Sequence, residues 1–484
     1  MTGERNHSSH SRGASKPSRP RKPAPPRRRT GPSRPPVEDP ARTAALDTLR
    51  AVRQRDAYAN LVLPQLLRER RISGRDAALA TELAYGASRA QGLLDTVIEA
   101  CSDRPLSEVD GSVLDALRLG AYQLLRTRIP AHAAVASTVD LVRGEAGSGA
   151  AGFVNAVLRR ITQQDEAGWV DELAPDPDED PIGYLALANA HPRWIAQAFA
   201  EALGSREEPL KLALEADDAR PAVHLVARPG EVSSDELAAM TGGDVAPYSP
   251  YGVHLEAGAG DPGDLDPVRE RLATVQDEGS QLCALALTRA PLEGTDQRWL
   301  DLCAGPGGKA VLLAALVGLE GGELDAVEKA PHRAELVRKI TSGLPVNVHV
   351  GDGRESGLEH GTYDRVLVDA PCTGLGALRR RPEARWRRQP SDVGQLTKLQ
   401  RELLTEALLL VRPGGVVGYV VCSPHLSETV AIVGDVARRT GAEVLDAREL
   451  FPGVPQLGDG PHVQLWPHLH GTDAMFCAVL RRVP

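Results

Sequence analysis

The sequence predicts a multidomain chain: an all-α bundle, then an α/β Rossmann-like domain built on a doubly wound, mostly parallel sheet. Three observations carry this. Residues 41–165 place apolar side chains at helical spacing. After residue 296, short apolar runs alternate with Gly-rich turns and helical stretches. At 484 residues the chain is also longer than one ordinary domain.

Taken in order, residues 1–40 are rich in Pro, Arg and Ser and poor in large apolar side chains. Such a segment cannot offset its ordering entropy by burial, so a disordered basic tail is expected, either an RNA tether or a solubilising arm. In 41–165, Ala45, Leu49 and Val52 share one helical face. Leu114, Leu117, Ala121 and Leu124 repeat that pattern, and Gly120 allows a close helix contact. Phe153–Leu158 belong to a further helix beyond Pro130. The acidic, Pro-containing stretch 166–181 reads as a linker. Residues 182–290 read as a small α/β connecting and RNA-binding subdomain, in which His191–Trp194 opens a helix and Ala222–Val226 is a strand. Residues 291–484 form the α/β domain proper.

Composition narrows the function. The six cysteines include no CxxC pair, which speaks against a zinc knuckle or disulfide framework and for a reducing cytoplasm, with no metal expected. No apolar run of about 18 residues exists to span a membrane, and no signal-peptide stretch is evident. The net charge of −9 conceals an asymmetry, because residues 1–36 hold ten Lys or Arg against one Glu. The body is therefore acidic, and any nucleic-acid contact needs a local source of positive charge.

The Gly-rich loop after the strand at Trp299 runs Cys303-Ala304-Gly305-Pro306-Gly307-Gly308-Lys309. A P-loop reading fails, because Cys303 and Ala310 occupy places that need Gly and a hydroxyl. Gly305, Gly307 and Ala310 nominally meet a dinucleotide fingerprint, and Glu328 follows the next strand, Glu323–Val327, as a ribose-binding acid should. That motif alone leaves an NAD enzyme open. S-adenosylmethionine is favoured because Pro306 removes a backbone N–H that a pyrophosphate would use, and because a nucleophile constellation follows downstream. Asp352 follows the third strand, placed for the adenine edge; helix capping is the competing role for any single acid there.

Two thiols end consecutive strands. Arg365–Val368 leads into Asp369-Ala370-Pro371-Cys372, and Val416–Val421 into Cys422-Ser423-Pro424. Carbon 5 of cytosine is a poor nucleophile until a thiolate adds to C6, and a methylated N or O atom needs no such help. Paired thiols thus point to pyrimidine C5 methylation, with Asp369 placed to meet N3. The run Arg379, Arg380, Arg381, Arg385, Trp386, Arg387 and Arg388 supplies local charge and an aromatic ring, an expected RNA-contacting loop; a plain solvated loop competes.

These residues resemble the RsmB/Sun family of bacterial 16S ribosomal RNA cytosine-C5 methyltransferases along nearly all the chain after the tail. The family's D-x-C-A-A-P-G-G-K-T appears as Asp301 to Ala310, D-A-P-C-S-G-T-G as Asp369 to Gly376, T-C-S as Val421-Cys422-Ser423, and H-G-T-D-G-F-F as His470 to Phe476. Val275-Gln276-Asp277 matches the run that opens the catalytic domain. Leu117–Leu125 and Phe153–Arg159 resemble the NusB RNA-binding fold. The resemblance implies Cys422 as nucleophile and Cys372 in elimination and product release. It implies that Cys303–Lys309, Glu328, Asp352 and Asp369 hold S-adenosyl-L-methionine. It further implies a 16S ribosomal RNA substrate, before subunit assembly is complete, and a monomer. Gly305 replaces Ala, Ala310 and Val421 replace Thr, Thr373 replaces Ser, and Glu328 replaces the usual Asp. A tRNA or other RNA substrate is the first alternative, and a non-catalytic RNA-binding or antitermination factor the second.

Overall fold

The computed structural model describes residues 39–256 and 260–483. The expectation for the basic tail falls almost entirely on 1–38, outside the described residues. The N-terminal part is all helical, with helices at Pro40–Arg55, Ala59–Glu69, Gly74–Arg89, Gln91–Cys101, Gly111–Arg126 and Ala131–Ile161. Asp110 caps the fifth through the amides of Ser112 and Val113, satisfying donors that have no partner inside the helix. Gly120 is where that helix meets its neighbour. A Cβ there would lie 2.9 Å from both Leu158 methyls and 3.0 Å from Thr138 Cγ2. The last helix is broken at Gly147, whose φ of 83° suits glycine.

The segment expected to be a linker differs. Glu166–Leu173 is a helix, capped by Asp165, and buries Trp169 and Val170 in the N-terminal core. An acidic, solvent-facing side masks two apolar anchors, which is why composition alone suggests a loop. Three more helices follow, Pro181–Ala188, Arg193–Ala202 and Glu207–Asp218. A small antiparallel sheet comes next, from β1 (Val223–Ala227), β2 (Asp244–Val245), β3 (Gly252–Leu255) and β4 (Ala273–Val275), in the order β2-β3-β1-β4.

The larger sheet contains β5 (Arg298–Asp301), β6 (Glu323–Glu328), β7 (Val346–Val350), β8 (Tyr363–Asp369), β9 (Val411–Val421), β10 (Glu443–Leu445), β11 (Val463–Gln464) and β12 (Phe476–Arg481). Its order is β10-β12-β9-β8-β5-β6-β7, with β11 paired to β12. Strands β5 to β9 run parallel and β12 is antiparallel to β9. The central strands β8 and β9 read as apolar runs because both faces are covered, whereas the edge strand β7, Val346–Val350, alternates polar and apolar residues and is only partly buried. The direction in which the chain adds strands reverses between β5 and β8, and ligands in such sheets sit beyond the carboxyl ends at that point.

Candidate active site

Adjacent parallel strands bring the two thiols together. Asp369 ends β8 in register with Val420 of β9, and the Ala370 amide donates to the Val420 carbonyl at 2.9 Å. Cys372 and Cys422 therefore emerge side by side, with their Sγ atoms 3.4 Å apart. The two do not titrate alike. The hydrogen bond with Cys372 lowers the Cys422 pKa against the effect of burial; Asp369 opposes this, and the Arg381 and Lys309 charges assist it. That same bond pushes Cys372 well above the ordinary thiol value, and burial pushes it further.

Lys309 is almost fully buried and donates from Nζ to Asp369 Oδ2 at 2.8 Å. Burial alone would lower its pKa, but the Asp369 carboxylate more than reverses this. Beneath them Asp301, ending β5, is pushed up to about 7 by burial and by the Asp369 charge. Its Oδ1 accepts from the Cys303 amide at 3.3 Å, while Oδ2 is buried without a partner. Burial raises Cys303 well above an ordinary thiol, so its side chain is no nucleophile.

The Gly-rich loop turns from β5 into the helix Gly308–Leu319. Gly307 has φ 117°, and a Cβ there would meet Ile340 Cγ2 at 2.6 Å. Glu328, buried at the end of β6, accepts from the amides of Gly305 (3.0 Å) and Ala330 (2.8 Å). A Cβ on residue 305 would stand 2.1 Å from Glu328 Oε2. The Glu328 carboxylate thus fills the space that an alanine at 305 would need. Asp352, beyond β7, is held by Arg354 (2.7 Å) and Lys329 (3.0 Å), and the Arg354 bond brings it below the usual carboxylate range. Val421, where the family pattern has Thr, packs in an apolar cluster with Phe476.

Sequence reasoning missed Glu428. It is fully buried and joins the residues that follow each thiol. Its Oε1 accepts from the Thr373 amide (2.8 Å) and Gln400 (3.1 Å), and its Oε2 from Ser423 Oγ (2.7 Å) and the Thr373 hydroxyl. Thr373 in place of Ser keeps the required hydroxyl. A glutamate in a polar loop six positions after Cys422 carries no sequence signal; only its burial reveals the role.

The arginine-rich run is corrected in large part. Arg385 is fully buried, donating to Asp217 Oδ2 (2.7 Å), Asp218 Oδ1 (3.2 Å) and the Ala190 carbonyl (3.0 Å). Arg379 and Arg380 bind Asp473 at 2.8 and 2.9 Å, and Arg380 also binds Asp277 at 2.7 Å. The Trp386 indole donates to the Ser88 carbonyl at 2.9 Å and packs over Gly92. Arg387 donates to the carbonyls of Val52, Asp56 and Ala57. These five side chains clasp the helical and connecting parts to the catalytic part and are not free for RNA. Arg381 is exposed and Arg388 is partly so. Among the described residues no group of three or more His, Cys, Asp or Glu could hold a metal, and no helix is long and apolar enough to cross a membrane.

Known proteins are similar to this chain along nearly all of the described residues. Residues 287–481 match the family described as 16S rRNA methyltransferase RsmB/F, and residues 39–163 match the NusB family. A Mycobacterium tuberculosis protein that carries a methyltransferase name is 62% identical over 94% of this chain and 99% of its own length. Ribosomal RNA small subunit methyltransferase B of Pseudomonas putida is 33% identical over 84% of this chain and 91% of its own. The crystal structure of PH0851 superposes with a TM-score of 0.75 over 92% of this chain and 99% of that one; at 20% identity it shows the shared fold. The chain belongs to the 16S rRNA methyltransferase RsmB/F family.

Proposed function

We propose that this protein methylates C5 of a cytosine in 16S ribosomal RNA, through a covalent bond from Cys422 to C6. The observation that carries the reading is the pair of thiols at adjacent strand ends, their Sγ atoms 3.4 Å apart, with the Lys309–Asp369 pair beside them. The Gly305–Gly308 cradle, the carboxylates Glu328, Asp352 and Asp369 along the strand ends, and the unpartnered buried oxygen of Asp301 fit S-adenosyl-L-methionine. When bound, it supplies a methyl group on a sulfonium.

The chain's own residues do the rest. The Cys422 thiolate adds to C6, and the displaced π pair makes C5 a nucleophile. Addition leaves negative charge on N3, which takes up a solvent proton until elimination, and the Asp369 carboxylate, braced by Lys309, accepts a hydrogen bond from that N3–H. Cys372 keeps its proton while Cys422 is a thiolate. Once Cys422 is a thioether, the hydrogen bond that raised Cys372 is gone, so Cys372 can pass its proton to solvent and, as a thiolate, take the one leaving C5. The C6–S bond then breaks and the Cys422 thiolate is regenerated.

Incubation of unmodified 16S RNA with labelled S-adenosylmethionine is expected to yield 5-methylcytosine. A labelled product without it would sink the reading, and preferential labelling of tRNA would move the substrate. Gly305→Ala should weaken S-adenosylmethionine binding roughly ten-fold by displacing Glu328. Adding Glu328→Asp should restore most of the loss. Calorimetry showing two merely additive losses would disprove the compensation.

A further inference from the structure

We propose that Tyr58, from the helical part, is a base-stacking residue at the lip of the catalytic site, receiving an unpaired nucleobase next to the target cytosine. This rests on the RNA methyltransferase reading above. The expected stacking residue, Trp386, is committed to the Ser88 carbonyl and Gly92, so it cannot serve. The chain has only four Phe, five Trp and eight Tyr, and among the described residues Tyr58 is the only one of them that is exposed, at 44%. A sequence this poor in aromatics that leaves one open to water has an outlying choice to explain.

Local structure sharpens the point. Tyr58 occupies the N-cap of helix Ala59–Glu69 and makes no side-chain capping bond there. Ser, Thr, Asp or Asn would stabilise that helix start, so tyrosine is placed against local preference. The residue two before it, Asp56, has φ 49°, in the left-handed region, and forms the tight corner that presents the ring. Arg387 fixes this corner through the carbonyls of Val52, Asp56 and Ala57.

The ring is also tied to the chemistry. The guanidinium carbons of Arg381 and Arg387 lie over the ring, at the loose distances of 6.0 and 5.8 Å from its centroid. Arg381 belongs to the loop that starts beside the nucleophile, where the Gly376 amide donates to the Cys422 carbonyl at 2.9 Å. Its charge is felt by the Cys422 thiol. A part-exposed aromatic ring beside an exposed arginine is how single-stranded RNA is held next to a reactive base: the ring stacks and the guanidinium takes a phosphate. The contact tolerates any base, because every base has a π face.

The test uses the full chain with unmethylated 16S RNA and with an RNA oligonucleotide of about ten nucleotides. Tyr58→Ala is expected to raise KM for 16S RNA roughly ten-fold or more, with the loss falling on KM rather than kcat. Tyr58→Phe and Tyr58→Trp should stay near wild type, and the fluorescence of the indole that Tyr58→Trp introduces should be quenched by the oligonucleotide. An unchanged KM for Tyr58→Ala, or an equal loss in Tyr58→Phe, overturns the stacking role. Thermal melting of each variant keeps misfolding apart from lost binding. Oligonucleotide quenching at position 58 in a protein that makes no 5-methylcytosine would leave the platform standing while removing the proposed reaction.

Discussion

Cys422→Ala is expected to abolish methyl transfer, by about 10⁴-fold or more, and to leave no protein–RNA adduct. Cys372→Ala is expected to lose turnover as well, yet to accumulate an adduct that survives denaturing electrophoresis. The asymmetry follows from the different tasks of the two thiols. Attack needs only the Cys422 sulfur, and is slowed but not blocked when its bond to Cys372 is lost, whereas release requires the second thiol as a base. A second measurement separates this from simple misfolding. With Cys372 present, the Cys422 pKa is lowered, so alkylation of Cys422 by iodoacetamide should remain fast below the range of an ordinary thiol. In Cys372→Ala the largest lowering influence is gone, and the pH midpoint of alkylation should move upward. An unmoved midpoint, or an adduct formed by Cys422→Ala, would reverse the assignment.

The second large effect is on stability. Arg385→Ala should cost about 3–5 kcal/mol in a denaturant melt, because it leaves a buried carboxylate without its cation. Asp217 is almost fully buried; burial alone would raise its pKa, but the His191 hydrogen bond and the Arg385 charge bring it below the usual value. Stability from such a depressed group is present above the unfolded carboxylate pKa and is lost as pH falls through the folded one. The Arg385→Ala deficit should therefore shrink in acid. Pairing Arg385→Met with Asp217→Asn should recover part of the loss, since a neutral pair leaves no buried charge. A melt within about 1 kcal/mol of wild type for Arg385→Ala would show that the contact is not needed.

The catalytic half was legible because its signals are local. A parallel strand is an apolar run that ends in a Gly-rich turn, and two such runs ending in Cys372 and Cys422 place the thiols on one sheet edge from the string alone. The run 379–388 shows where such reading stops. As a string it is cationic and reads as an RNA contact, but its partners are Asp217, Asp218, Asp277, Asp473 and the carbonyls of residues 52–57 and 88, all far away along the chain. Charge is a property of sequence; what neutralises it is a property of the fold. Glu428 and Tyr58 escaped for opposite reasons. A glutamate in a polar loop is expected to be exposed and is buried, and a lone tyrosine before a helix is expected to be buried and is exposed.

The Trp386 clasp also has a consequence for synthesis. Its indole bonds to carbonyls 298 and 297 residues earlier in the chain, at Ser88 and Arg89. At about 5–20 residues per second, a ribosome needs roughly 15–60 s to cover that distance. The helical part leaves the ribosome first and waits that long with its seam open, carbonyls turned to water and Gly92 uncovered. Its early survival in the cell thus depends on a surface that its own translation has not yet finished.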